Sequence, residues 1–508
     1  MKPTKDLMYL SEPTLLFRHG QAMEDPRDGL SFLGPYDDAQ NYGVKYGVIG
    51  TADGIRRFKS WVSKIQGPVS EAGMGRKRPP FPGFQAAFGI PWSPQPLVEL
   101  VYKIEDLEKC VLLNDPHKRN FETVGFIRDR ILKAIRDDEA KPEVWIVVLP
   151  EIVYQNCRPN SIVQKAIRVQ ATGTMRASDA QRSLNEPFLL AQMNADAEAY
   201  LYEPDFHNQL KGRLLEKGVL TQVVRESTVA HNEFLKKNGK PTHQLDNLQS
   251  QIAWNLGSAI YYKIGGRPWK LNGVREGVCY VGLVFKQDDK HPTSETACCA
   301  AQMFLDSGDG VVFKGNVGPW YAPKTGEYHL STHAANQLLS QALDSYREKH
   351  GGKPPKEIFI HGRTMFSEAE WHGFKEAAGS ASNLVGVRIY EAENFRLYRQ
   401  SSGMPVLRGL AWQLSERSAM LMTRGYVPRL GTYPGMEVPK PLEIEICQGE
   451  ADITQVLQDI LGLTKLNYNS CRFADGLPVT LKFADAVGEV LISGPGAVNA
   501  PLPFKHYI

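Results

Sequence analysis

The strongest apolar run in the 508-residue chain is Val144-Trp145-Ile146-Val147-Val148-Leu149. Such a run is far shorter than the roughly 20 residues that cross a bilayer, so it is read as a core strand and no transmembrane helix is predicted. Directly before it, apolar residues at 121, 124, 127, 131 and 135 keep helical spacing over 119–136. Helix followed by strand makes an α/β unit. In a second unit Phe206, Leu210 and Leu214 recur every four residues, and 219–224 alternates as a strand. Leu245, Leu248, Ile252, Leu256 and Ile260 then mark a long helix, closed by Gly265-Gly266 at the usual place for a left-handed cap.

Past this helix the pattern changes. Strands are predicted at 278–285, 302–305 and 311–315, a helix at 332–350, a strand at 357–361 and a helix at 367–378. That β-β-β-α-β-α order is the one of a ribonuclease H-like core. A helix at 452–463 and another starting near Pro478 complete the tail. The first hundred residues read as loop-heavy, with a Pro- and Gly-rich junction at 73–94.

At about 150 residues per domain the length predicts two to four domains, and 42% apolar with 23% charged residues is the composition of a soluble globular protein. The opening MKPTKDLMYLSEP is broken by charges and lacks the apolar stretch of a secretory signal, which predicts a cytoplasmic protein. Seven scattered cysteines, with no C-x-x-C pair and no zinc spacing, predict reduced thiols. The net charge of +3 says little by itself. Over 207–240, however, seven Lys or Arg stand against three Glu, which predicts an anionic ligand at that place unless this is only a solvated helix face.

A ribonuclease H-like nuclease holds two metal ions on several carboxylates. Residues 279–285 of the first strand carry no acid, and the fourth strand runs into His361-Gly362-Arg363. Asp485 alone cannot position two ions, and Asp288 and Asp289 lie beyond the strand. Cleavage chemistry is therefore predicted to be lost. His207 and Lys211, four apart on one helix face, make a pair that can grip a phosphate, with Gln222 and Lys263 in the elements that follow. No G-x-S-x-G elbow, P-loop or dinucleotide fingerprint occurs.

Gln251-Ile252-Ala253-Trp254-Asn255-Leu256, with Tyr262-Lys263-Ile264-Gly265-Gly266-Arg267-Pro268-Trp269-Lys270-Leu271, resembles the junction between the MID and PIWI domains of Argonaute proteins. Asp25-Pro26-Arg27-Asp28-Gly29-Leu30, Gly34-Pro35-Tyr36 and Phe473-Ala474-Asp475-Gly476 look like segments of short prokaryotic Argonautes, and the resemblance covers essentially the whole chain. It implies an α/β protein with a Rossmann-like MID domain at 101–266, a ribonuclease H-like PIWI domain at 267–508, and a segment at 1–100 that packs on both.

By the same resemblance His207, Lys211, Gln222 and Lys263 match the set that binds the 5′-phosphate of a guide strand, with His207 where many relatives have Tyr. Ile508 would supply a terminal carboxylate that meets the phosphate through Mg2+, the expected cofactor. Val284 and Arg363 fall on the first two aspartates of the PIWI tetrad and Asp485 on the last, so no catalytic residue is expected. The implied function is guide-RNA-directed recognition of invading single-stranded DNA. In this reading the chain is the sensor subunit of an immune system, paired as a heterodimer, or a higher oligomer on activation, with an APAZ-containing effector protein (TIR or Sir2 NADase, or nuclease). Two rivals remain open, a guided nuclease with its own metal site and a single-strand binding module that needs no guide.

Overall fold

The structure is a computed structural model and describes residues 7–70, 78–137, 139–183, 186–236, 238–243, 245, 248–287, 297–305, 310–318, 320–322, 326–400, 403–494 and 502–507. A first short strand, β1 (Leu7–Tyr9), joins a sheet built much later in the chain, whereas four strands between residues 46 and 225 make a parallel sheet of their own. These are β2 (Tyr46–Gly50), β3 (Val98–Val101), β4 (Val144–Leu149) and β5 (Thr221–Arg225), in spatial order β3-β2-β4-β5. Every residue of β2 and β4 is buried, as central parallel strands covered on both faces must be.

Parallel neighbours need crossovers, supplied here chiefly by α1 (Ala52–Lys64), α2 (Pro116–Asp137) and α3 (Phe206–Leu215), with α4 (Gln249–Lys263) after the last strand. Pro116 opens α2, where its missing N–H costs nothing. Thr51 caps α1 by accepting from the Gly54 amide, and Asp205 caps α3 by accepting from Asn208. These elements lie within a few residues of the predicted ones from 116 onward. The front of the chain differs, because β2 and β3 come from the part read as loop and a boundary at residue 100 runs through this sheet. Gly47 hides β2 from a periodicity scan for a packing reason, since a Cβ there would stand 2.7 Å from the Trp145 ring on the next strand.

Among the described residues the larger sheet has ten strands. Besides β1 they are β6 (Val278–Gln287), β7 (Ala297–Leu305), β8 (Gly310–Gly318), β9 (Glu357–Gly362), β10 (Asn383–Glu391), β11 (Leu410–Gln413), β12 (Ser418–Leu421), β13 (Leu442–Gln448) and β14 (Leu502–Pro503). Their order is β1-β11-β12-β13-β10-β9-β6-β7-β8-β14. β6, β7 and β8 are antiparallel neighbours, β9 lies parallel to β6, and β10 parallel to β9. Two helices cover one face, α5 (Thr332–Lys349) and α6 (Glu368–Ala378), the latter opened by a Ser367/Glu370 capping box. Later come α7 (Ile453–Leu463), capped by Asp452, and α8 (Ala484–Ile492), which packs on β6. The ribonuclease H-like order read from the sequence is present.

One buried cluster runs from Tyr46 and Trp92 through Trp254 and Trp269 to Ile444 and Leu457, so the two sheets share a core. The amino-terminal segment is stitched into the second half by Glu12, which pairs with Arg408 (2.9 Å) and Lys465 (2.6 Å). Among the described residues no helix is long and apolar enough to cross a membrane.

Candidate functional site

Three elements of the parallel-sheet unit and the carboxyl-terminal tail converge on one cluster of polar side chains. α3 begins just beyond the carboxyl edge of β4, the edge at which open α/β sheets bind ligands. His207 stands in its first turn and Lys211 one turn later, on the same face. Gln222 comes from β5, and its side-chain oxygen accepts from the Lys263 ammonium at the last residue of α4 (2.9 Å). That ammonium also donates to the Thr221 carbonyl (2.8 Å). Lys211 donates to the Tyr507 carbonyl (3.2 Å), and Lys505 donates to the Lys263 carbonyl (3.1 Å). The four residues singled out from the sequence are therefore brought together.

The tail is held by its apolar residues. Phe504 and Tyr507 are buried, Phe504 meets the Phe483 ring edge-on (5.1 Å), and Leu502 and Pro503 pair with Val312 and Val311. Ile508 lies outside the described residues, one position beyond the carbonyl that Lys211 reaches. Lys505 and His506 are pocket residues that sequence reasoning did not find, because only the fold brings residue 506 back to residue 263.

The electrostatics of this cluster favour an anion. Lys211 is 7% exposed and Lys263 1%, and among the described residues no carboxylate pairs with either. Desolvation pushes the Lys211 pKa down to about 8 and, with help from Lys211, holds Lys263 well below the ordinary lysine value. His207 is reachable by solvent at the mouth of the cleft, yet protein surrounds it. Desolvation first and the two ammoniums next bring it down to about 4. His506 is lowered to about 4 by burial, then by Lys505 and Lys263, and its Nδ1 has no hydrogen-bond partner among the described residues. An anion seated here would relieve every one of these costs at once.

The described residues do not by themselves make a magnesium site. No group of three His, Cys, Asp or Glu side chains is poised for a metal among them, and the place beside the terminal main chain is taken by the Lys211 ammonium.

Beside the pocket lies a cavity of about 550 Å3, lined among others by Tyr154, Cys157, Arg158, His207, Arg225 and Asn255. The Arg225 guanidinium lies 3.4 Å from the Tyr154 ring centre and that of Arg158 4.4 Å, a cation–π arrangement. Arg225 is fixed by Glu151 (2.5 Å) and His243 (3.0 Å). The segment 207–240 had pointed to Arg225 only as one charge in a surplus.

In the other half, His361 of β9 pairs with Gly282 of β6 in parallel register. Val284 lies two residues further along β6, and Arg363 directly follows the last residue of β9. Asp485 lies on α8, the helix packed on β6. Over Gly282 the chain passes so closely that a Cβ would meet the Thr480 carbonyl oxygen at 2.0 Å, while the Thr480 hydroxyl bonds His361 Nδ1 (2.9 Å). Asp288 and Asp289 lie outside the described residues.

No family model matches the chain. An argonaute protein of Aquifex aeolicus is 24% identical over 294 residues, which cover 56% of this chain and 36% of that protein. Among solved structures, the Clostridium butyricum Argonaute bound to a guide DNA and a 19-mer target DNA aligns over 97% of this chain and 54% of its own, with a TM-score of 0.61 at 14% identity. The Aquifex aeolicus Argonaute (TM-score 0.56, 14% identity, 100% of this chain and 56% of that one) and Drosophila Piwi (0.58, 12%, 99% and 56%) align likewise. The chain thus spans little more than half the length of these solved structures. Its fold is the MID–PIWI fold of Argonaute structures.

Proposed function

We propose that the chain is a short Argonaute whose pocket holds the 5′-phosphate of a guide RNA and whose channel pairs that guide with invading single-stranded DNA. The observation that carries this reading is the cluster of Lys211, Lys263, Gln222 and His207, in which two buried ammoniums lack a carboxylate among the described residues. A terminal phosphate, unlike a backbone one, presents enough charge and enough acceptors for two lysines, an amide and an imidazole at once. The C. butyricum relative, solved with guide and target DNA, and the Aquifex relative, solved with an externally bound siRNA, support a nucleic-acid ligand.

Base pairing then supplies the sequence information, while the protein holds the guide backbone in A-like geometry. The PIWI-like half does not cut. By the resemblance Val284 and Arg363 replace two metal-binding acids, and an arginine in such a place repels a divalent cation rather than holding it. In this reading target pairing biases a two-state element and passes the signal to an APAZ-fused effector, a NADase of TIR or Sir2 type or a nuclease, in the cytoplasm. The test is direct binding. The purified chain should prefer a 5′-phosphorylated RNA over the same strand with a 5′-hydroxyl by about a hundredfold, the worth of a buried charged contact. Equal affinity for both would favour a guide-independent binding module.

A further inference from the structure

Connections between a strand and the next helix in α/β units usually take about 2–6 residues. Between β4 and α3, the helix that leads on to β5, this chain spends residues 150–205, 56 in all and with short helices at 151–156, 177–182 and 191–198, at the carboxyl edge of the sheet and against the cavity beside His207. The insertion is well anchored at its base. Arg119, 1% exposed, donates to the carbonyls of Leu113 and Ser161 (both 2.8 Å). Val169 exchanges backbone hydrogen bonds with Leu112 and Asn114 (both 2.9 Å), the Asn114 side chain holds Ala171, and Lys118 ties Thr172 to Asp196.

Its outer side is a different matter. From 158 to 176 the sequence carries Arg158, Lys165, Arg168 and Arg176 and not one Asp or Glu. Arg158, Lys165 and Arg176 are exposed, and among the described residues none of the four forms an ion pair. Arg168 is turned partly inward, donating to the Val163 carbonyl (3.0 Å). An anchored, acid-free, cationic loop starting at the cavity wall fits a nucleic-acid backbone.

Strand polarity says which one. A guide whose 5′ end is buried at Lys211 and Lys263 stops there, and pairing is antiparallel. The strand that continues past the pocket is therefore the target, on the 3′ side of its paired segment. The wall beside His207 that it must cross is built by Tyr154, Cys157, Arg158 and Pro159 of the insertion. We infer that the 150–205 insertion is a second nucleic-acid contact, in which Lys165, Arg168 and Arg176 hold the phosphates of the target's 3′ flank. This rests on the guide reading above.

The test uses the full chain loaded with a 5′-phosphorylated RNA guide and three DNA targets: one ending flush with the guide's 5′ end, one extended by ten nucleotides on its 3′ side, one extended equally on its 5′ side. The 3′ extension should tighten binding about tenfold at low salt and steepen the salt dependence by about two, at 0.7 per phosphate contact for three contacts. The 5′ extension should change nothing. The triple variant Lys165→Gln, Arg168→Gln, Arg176→Gln should retain its guide and bind the 3′-extended target like the flush one. Lys165→Gln alone, which breaks no observed hydrogen bond, should lose about a third of the slope difference. Loaded chain that binds flush and 3′-extended targets equally overturns this inference alone, as does a triple variant that keeps the preference. If the variant instead loses a protein partner, the loop is a protein-docking face. A chain that takes up no 5′-phosphorylated guide fails at the earlier step and sinks the reading beneath.

Discussion

Replacing Lys211 by methionine should stabilise the empty protein and cripple the loaded one. The Lys211 ammonium is buried, and a pKa lowered from 10.5 to about 8 by desolvation corresponds to about 3 kcal/mol of strain in the folded, unliganded chain. Methionine keeps the stem of the side chain and removes the charge. It also removes the hydrogen bond to the Tyr507 carbonyl, worth about 1 kcal/mol, which leaves a net gain of about 2 kcal/mol. Because the folded pKa lies below the unfolded one, the unfolded chain binds more protons between about pH 8 and 10.5. The wild-type penalty is therefore full below pH 8 and fades as pH rises through that window. Urea unfolding of nucleic-acid-free protein at pH 7 should show the variant more stable, with the gap closing toward pH 10. The same variant should lose about a hundredfold in affinity for 5′-phosphorylated RNA and almost nothing for the 5′-hydroxyl strand. A variant that is less stable than wild type at pH 7, yet still selects the phosphate, would refute the reasoning.

Three further outcomes follow from the geometry. Glu12→Gln leaves Arg408 and Lys465 buried without their anion and should cost about 3–5 kcal/mol in chemical denaturation. Burial would raise the Glu12 pKa, but Arg408 and Lys465 hold it below the usual carboxylate value, so its contribution is present above about pH 4.5 and is lost as pH falls through the folded pKa. An imidazole titration by NMR should find His207 neutral down to about pH 4 in the unliganded chain and titrating at higher pH once a 5′-phosphate is bound; an unchanged midpoint would remove His207 from the phosphate contact. Guide-loaded chain should leave a paired DNA target intact with Mg2+ or Mn2+, and divalent-dependent cleavage abolished by Asp485→Ala would instead establish a metal site of its own.

What the sequence revealed depended on whether a residue's role is written in local spacing. α2, β4, α3 and α4 each bury one periodic face or a continuous run, and their spacing was readable. β13 was passed over although its pattern is local too, since Leu442, Ile444 and Ile446 alternate with Glu443 and Glu445 and only the former are buried. Its place beside β10 is a matter of tertiary pairing. The insertion at 150–205 was not visible as a unit, because its helices at 151–156, 177–182 and 191–198 are short and bury little. In the pocket, His207 and Lys211 declared themselves by helical spacing, but the Lys263–Gln222 contact spans 41 positions and the Lys505–Lys263 contact 242. The pairing of β6 with β9, which sets His361 beside Gly282, is likewise one that no local pattern encodes.

The central claim is that the lysine pocket holds a guide by its 5′ end. The most direct measurement is to purify the chain from cells and sequence the nucleic acid that comes with it, scoring the chemistry of the 5′ ends, beside a Lys211→Ala/Lys263→Ala variant. Short 5′-phosphorylated RNAs carried by the wild type and absent from the variant are the predicted result. Nucleic acid with no 5′ preference, carried equally by both, would contradict it.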